Sequence, residues 1–179
     1  MKRKQIDTTR WLSSSEYACA WGERNALLLK IMLDCVPNTH PLTYTEYGCG
    51  PHSPFTSIAN QNFRHGYRVD IKQWDSGVLL CDLNSTIENL LYSDVGILSG
   101  VIEYLTDPEV VLKELGSYHD RLLLSYAPYQ DGSLEDRCIN NGWRNHYSLY
   151  DFIKVANNFG FIENVGEWKG QVLFLLKHR

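Results

Sequence analysis

Along the chain the apolar and polar positions change period several times, and each change marks an element. Leu27, Leu28, Ile31 and Met32 fall at helical spacing and Ser13 to Ser15 offer caps, so a helix is predicted from Ser13 to Leu33, its continuity weakened by Gly22. The stretch CVPNTHP then breaks the chain, and strand and helix patterns alternate. LTYTEYG reads as a strand. Ser53 and Pro54 signal the helix after it, serine as a cap for orphan amides and proline as a first helical residue. GYRVDI and GVLLCDL read as strands, and DVGILSG as an apolar strand ending at Ser99 and Gly100. Asp107 caps a helix in DPEVVLKEL, and RLLLSYA is a near-continuous apolar run of the kind buried on both faces. Ser148 and Asp151 open a helix through FIKVANNFGF that Gly160 closes. FIENVGEWKGQVLFLLK finishes as two strands around a tight turn at Lys169 and Gly170.

This order predicts an α/β fold. It is a three-layer, doubly wound, mostly parallel sheet of seven strands with helices on both faces, and the C-terminal hairpin contributes the antiparallel strand. Residues 1–12 read as a loose arm and residues 13–179 as a single domain, with no internal repeat or long linker. In such sheets ligands bind outside the carboxyl ends of the strands, near the point where the strand order reverses.

Composition narrows the class. The 179 residues are about one domain's worth of core, and 44% hydrophobic with 21% charged is ordinary for a globular chain. A net charge of −4 with interspersed signs gives no general attraction to nucleic acid or to an anionic membrane, and MKRK at the start reads as a solvated tail. No apolar run reaches the roughly 20 residues of a membrane span, and no signal peptide opens the chain. The five cysteines are widely spaced without a Cys-x-x-Cys pair, so reduced thiols in a cytoplasmic protein, with no metal site, are expected.

The candidate chemistry gathers at TYTEYGCGPHSPF. Gly48 and Gly50 lie between a strand and a helix, where glycine permits a tight turn and close approach to a ligand. The dinucleotide fingerprint G-x-G-x-x-G is incomplete, because Ser53 stands where its third glycine would fall. Glu46 beside a pyrophosphate would be repelled by roughly a few kcal/mol at surface-like dielectric. Beside a ligand carrying an ammonium and a sulfonium the same charge is attractive, and those are the charges of S-adenosyl-L-methionine. Asp70 ends the second strand about 20 residues after the glycines, where a carboxylate can accept from both ribose hydroxyls. Asp82, in CDLN, is placed to accept from an adenine amino group, with Leu83 at the ring edge. The structural alternatives are a solvated Glu46, an Asp70 that ends a strand beside Lys72, an Asp82 that caps the segment after it, and a Trp74 that packs under a loop rather than stacking on adenine.

Taken together, EYGCG, RVDI, CDLN, DVGILSGVIEYLTDPEVVLKEL and the terminal hairpin resemble, in order and spacing, the motifs of class I S-adenosylmethionine-dependent methyltransferases over residues 42–177. The resemblance implies Rossmann-like architecture and a cofactor site in which Glu46, Gly48 and Gly50 contact the methionine end. It places Asp70 and Ile71 at the ribose, Asp82 and Leu83 at the adenine, and Ser99 or Gly100 under the sulfonium. His52 departs from the pattern, standing where many members carry a further glycine.

Methyl transfer needs an acceptor in line with the methyl group, exclusion of water, and a base for a hydroxyl acceptor. The resemblance puts acceptor residues beyond the fourth and fifth strands, where Glu103 and Tyr104 and the long connection Ala127 to Tyr147 stand. His146 is the candidate base because imidazole titrates near neutral pH, with a surface role as the alternative. Glu103 is a base or an orienting group, Tyr104 lines the pocket, and Arg137 and Arg144 either bind an anionic substrate or are solvated. The motif of amino-methylating DNA enzymes is absent after the fourth strand. Cys138 lacks the Pro-Cys setting of cytosine-C5 enzymes, and SYAP supplies no catechol-type metal cluster. The expectation is a metal-independent enzyme methylating oxygen or nitrogen of a small molecule or glycan, with no nucleic-acid or membrane partner. A non-catalytic methyltransferase-like binding or scaffold module is the alternative, and an NAD-dependent enzyme a third reading.

Overall fold

The computed structural model describes residues 21–36, 40–59, 62–85, 87–88, 90–130 and 134–179. The expected arm at 1–12 and the first part of the expected helix, 13–20, lie outside these residues. Its elements in chain order are α1 (Gly22–Cys35), β1 (Leu42–Tyr47), α2 (Thr56–Ala59), β2 (Phe63–Asp70), β3 (Val78–Leu80), β4 (Ser93–Leu98), a 3-10 turn (Ile102–Tyr104), α3 (Pro108–Leu115), β5 (His119–Tyr126), a π-helical turn (Asp136–Asn140), α4 (Leu149–Ala156), β6 (Gly160–Trp168) and β7 (Gln171–His178).

The strands form one seven-stranded sheet in the order β3-β2-β1-β4-β5-β7-β6. The five strands from β3 to β5 run parallel, and β7 is antiparallel to both β5 and β6. The strand order therefore reverses between β1 and β4, where the carboxyl ends part and leave a crevice.

Alternation along the central strands explains why helices cover both faces. Leu122, Leu124, Phe174 and Leu176 join Leu112, Leu115, Phe152 and Phe159 in one core under α3 and α4. Their neighbours Leu123, Leu173 and Leu175 face the other way and pack with Leu28 and Met32 of α1 and with Tyr44, Phe55 and Phe63. Each leucine so enclosed contributes about 1.5–3 kcal/mol relative to exposure. This two-sided burial is what the unbroken apolar run RLLLSYA requires.

Cap chemistry decides the helix limits. Asp107 accepts from the Val110 amide at the start of α3 with Pro108 first inside, and the Ser148 hydroxyl accepts from the Asp151 amide at the start of α4, both as the sequence implies. Two expectations are corrected. Ser53 does not cap α2: it takes φ +42°, and the helix begins later, at Thr56. Gly160 does not close α4, which ends at Ala156; it opens β6, where a side chain would collide with the Lys177 carbonyl. Gly22 stands at the first residue of α1, so it interrupts nothing among the described residues.

A polar chain crosses the centre of the sheet. The Thr45 and Ser93 hydroxyls lie 2.9 Å apart, Ser93 Oγ lies 3.0 Å from His119 Nδ1, and His119 Nε2 lies 2.6 Å from the Tyr47 hydroxyl. Burial holds the His119 imidazole neutral, with its pKa lowered to about 4. The unfolded chain takes up this proton as pH falls through the ordinary histidine value near 6.5, while the native state resists until about 4. Stability from this group is therefore present above pH ~6.5 and lost on the way down to ~4. Urea denaturation should show wild type losing about 2 kcal/mol more than His119→Asn between about pH 7 and pH 5. Parallel pH curves for the two proteins would contradict this.

Candidate active site

The turn after β1 is shaped by a carboxylate from its own strand. Glu46 is 2% exposed, and its oxygens accept from the Phe55 amide at 2.9 Å, the Thr56 amide at 2.9 Å and the Thr56 hydroxyl at 2.7 Å. Burial pushes its pKa up and these three donors pull it back. Glu46 thus caps the start of α2, the task the sequence suggests for Ser53. Glu46, expected at the methionine end of a cofactor, turns its carboxylate into the protein and does not line the crevice. The amides at the start of α2 are therefore occupied by the protein's own anion.

The crevice holds a cavity of about 540 Å³ at the carboxyl ends of the strands, within the range of small-molecule sites. Gly48, Gly50, Asp70, Ile71, Asp82, Leu83, Ser99, Gly100, Glu103, Tyr104 and Arg144 all line it, whereas Glu46, Arg137 and His146 do not. Gly48 takes φ +62°, and a Cβ there would lie 2.7 Å from Val101 Cγ2, so only glycine lets the loop pass this close to the end of β4.

Asp70 ties two strand ends together. One carboxylate oxygen accepts from the Gly50 amide at 2.8 Å and the other from the Lys72 amide at 3.1 Å. It is 8% exposed, and burial raises its pKa against those bonds. The Ile71 amide adds to this donor set, and Asp70 lines the cavity. Asp82 is exposed and accepts from the Asn84 amide at 2.9 Å, so it does cap the next turn while also lining the cavity. Lys72 Nζ sits 4.1 Å from the Trp74 ring centroid, and Trp74 and the exposed His52 line the cavity too.

At the end of β4 stands a group that pattern reading passes over. Arg24 of α1 is 5% exposed and donates from Nε to the Ser99 hydroxyl at 2.9 Å, from one terminal nitrogen to the Ser99 carbonyl at 3.0 Å and from the other to Gln171 at 3.1 Å. Its guanidinium lies 4.6 Å from the Trp21 ring centroid, and a Cβ on Gly100 would strike it at 2.6 Å. No carboxylate among the described residues forms a salt bridge with it. In the sequence Arg24 reads as one polar residue in a helix start, with no signal of its burial.

The far wall is built by the 3-10 turn and the returning end of the long connection. The Arg144 amide donates to the Glu103 carbonyl, Asn145 Nδ2 donates to the carbonyls of Ile102 and Leu105, and Trp143 Nε1 donates to the Tyr104 hydroxyl at 3.1 Å. Glu103 is 1% exposed; one oxygen accepts from the Ala127 amide at 2.8 Å, and the other has no partner among the described residues. Burial raises the Glu103 pKa.

The expected base, His146, stands apart from the other candidates. His146 lies outside the cavity lining, with Nδ1 3.3 Å from Arg137 Nε and Nε2 3.2 Å from Cys138 Sγ. Arg137 also grips the carbonyls of Ala127 and Pro128, so the connection folds around it and turns His146 away. Arg144 lines the cavity and donates to the Thr106 hydroxyl. Among the described residues no group of three or more His, Cys, Asp or Glu side chains is placed to hold a metal ion.

Glu46→Ala should cost about 1–3 kcal/mol in urea denaturation, because two amides and a hydroxyl lose a buried acceptor, while Glu46→Gln keeps one acceptor oxygen and costs less. Equal, negligible losses would show that the cap carries no weight.

No protein-family model matches the chain, and no curated protein matches it. Solved structures do. A methyltransferase dependent on S-adenosylmethionine from Mesorhizobium loti superposes with TM-score 0.66 at 13% identity, over 86% of this chain and 96% of that one. The N-methyltransferase NodS from Bradyrhizobium japonicum WM9, in complex with S-adenosyl-L-homocysteine, gives TM-score 0.62 at 14% identity, over 87% and 86%. CalO1, a methyltransferase in calicheamicin biosynthesis with S-adenosylhomocysteine bound, gives 0.61 at 12% identity over 88% of this chain, which spans about half, 54%, of CalO1. The chain therefore has the Rossmann-like fold of these S-adenosylmethionine-dependent methyltransferases.

Proposed function

We propose that this chain is a methyltransferase that moves a methyl group from S-adenosyl-L-methionine to an oxygen or nitrogen of a small molecule. The observation that carries the reading is the charge layout of the cavity: a buried carboxylate, Asp70, at the end of β2 and a buried cation, Arg24, at the end of β4. That layout suits a ligand with a dihydroxy ribose at one end and an α-carboxylate at the other. It suits a dinucleotide poorly, because the helix-start amides are taken by Glu46.

When bound, the cofactor would supply an electrophilic methyl group on a sulfonium. Asp70 accepts the ribose hydroxyls, with Ile71 beside them. Leu83 and Asp82 border the adenine. Gly48 and Gly50 let backbone approach the methionine end, Arg24 takes the carboxylate, and Ser99 and Gly100 lie beneath the sulfur. The 3-10 turn and Trp143 close the acceptor side and exclude water. The acceptor class of small molecules follows from the modest cavity, and a sugar of a glycan falls within the same class.

Calorimetry with S-adenosylhomocysteine should give binding that falls about tenfold or more in Asp70→Asn and in Arg24→Gln, with NAD giving no heat. Transfer of labelled methyl from the donor to a fraction of cell extract should follow. Binding of NAD in preference to S-adenosylhomocysteine would overturn the reading.

A further inference from the structure

Outside the cavity, the π-helical turn and the end of the long connection bring a thiol, an imidazole and a guanidinium into one row. Cys138 Sγ lies 3.2 Å from His146 Nε2, and Arg137 Nε donates to His146 Nδ1 at 3.3 Å. None of the three lines the cavity. A cysteine beside a histidine that a third group orients is the arrangement of an activated nucleophile.

The third group decides how this row works. A guanidinium has donors only, so the bond from Arg137 requires His146 Nδ1 to be the bare nitrogen. Burial and the Arg137 charge lower the His146 pKa, so the imidazole is neutral at pH 7 and carries its one proton on Nε2. That N–H faces Cys138 Sγ. His146 therefore cannot take the thiol's proton as a base, because the nitrogen beside the sulfur is already protonated. It acts as a donor to sulfur instead, and a thiolate is the form of cysteine that accepts such a bond well. Arg137 is held in turn by the Ala127 and Pro128 carbonyls, so its charge stays beside the pair.

Access singles out the same thiol. Burial pushes the Cys49 thiol up to about 12 and also raises that of Cys81, while Cys35 is half-buried and accepts from Asn164 Nδ2. Cys138 is the one exposed thiol among the described residues.

We propose that Cys138 is a site of reversible mixed-disulfide formation with small disulfides, the His146 N–H and the Arg137 charge holding its sulfur as the nucleophile. The Cys138 thiolate attacks one sulfur of the disulfide and forms a new S–S bond. The electron pair of the old S–S bond leaves on the other sulfur, which takes up a proton from solvent in place of the one that Cys138 released. A small thiol in excess reverses the exchange. The step involves no methyl donor, so it stands independently of the methyltransferase reading.

The test treats the full chain with 2-hydroxyethyl disulfide at pH 7 and follows each cysteine over time by peptide mass spectrometry. Cys138 should react ahead of Cys35, Cys49 and Cys81, and about three- to tenfold faster in the native chain than in the same chain unfolded in urea. His146→Leu should remove that advantage, and His146→Gln, which keeps an N–H donor, should retain part of it. Nitrogen NMR shifts of the wild-type imidazole should place the His146 proton on Nε2. A native Cys138 no faster than the unfolded one, a His146→Leu variant as fast as wild type, or a proton on Nδ1 would each overturn the proposal. Should His146→Leu fail to fold, the wild-type rate ratio and the nitrogen shifts still decide it.

Discussion

A parallel sheet delivers each strand end into open space, and the chain must turn back without leaving its amides unpaired. At the end of β1 that problem is solved internally by Glu46, which reaches past the glycines to hold the Phe55 and Thr56 amides and the Thr56 hydroxyl. The loop it closes carries the Gly50 amide to Asp70 on the neighbouring strand, so the carboxyl ends of β1 and β2 are clamped as one edge. The same contact occupies the positive end of α2 with a protein anion. Two buried carboxylates thereby share the edge: Glu46 shapes the loop and Asp70 joins it to β2.

From that edge the rest of the cavity follows by topology. The strand order reverses between β1 and β4, so the glycine loop and the β4 end face each other across the crevice. Arg24, anchored to Ser99 and Gln171, spans from β4 to β7 and ties the first helix to the last strand. Glu103 and Asn145 fasten the 3-10 turn to the segments beyond β5, and Trp143 completes the wall against Tyr104. Arg24 at the end of β4 and Asp70 at the end of β2 thus carry opposite charges, and each is held by hydrogen bonds within the protein.

The architecture was legible because it rests on period and caps. RLLLSYA, DVGILSG and the Lys169–Gly170 turn appear as the sequence implies, and Asp107 and Ser148 cap the helices they precede. The cavity-lining glycines and Asp70, Asp82 and Leu83 were legible for a related reason: strand ends in this fold lead to one place. What stayed hidden depended on side-chain direction. Glu46 ends a strand and points inward, which its type and position do not reveal. His146 has the right chemistry but is drawn off by Arg137 and Cys138, nine and eight residues before it. Arg24 gives no periodic signal, because its burial comes from Ser99 and Gln171, 75 and 147 positions away.

The insertion of β7 between β5 and β6 carries a consequence for how the molecule is made. Among the described residues β6 pairs with β7 alone, yet it is synthesised first, so it waits for residues 171–178. Until they arrive, the β5 backbone lacks its ladder on that edge, and Arg24 lacks Gln171. Sheet closure thus waits for residues 171–178, and a nascent chain halted before them leaves β5 as an open edge.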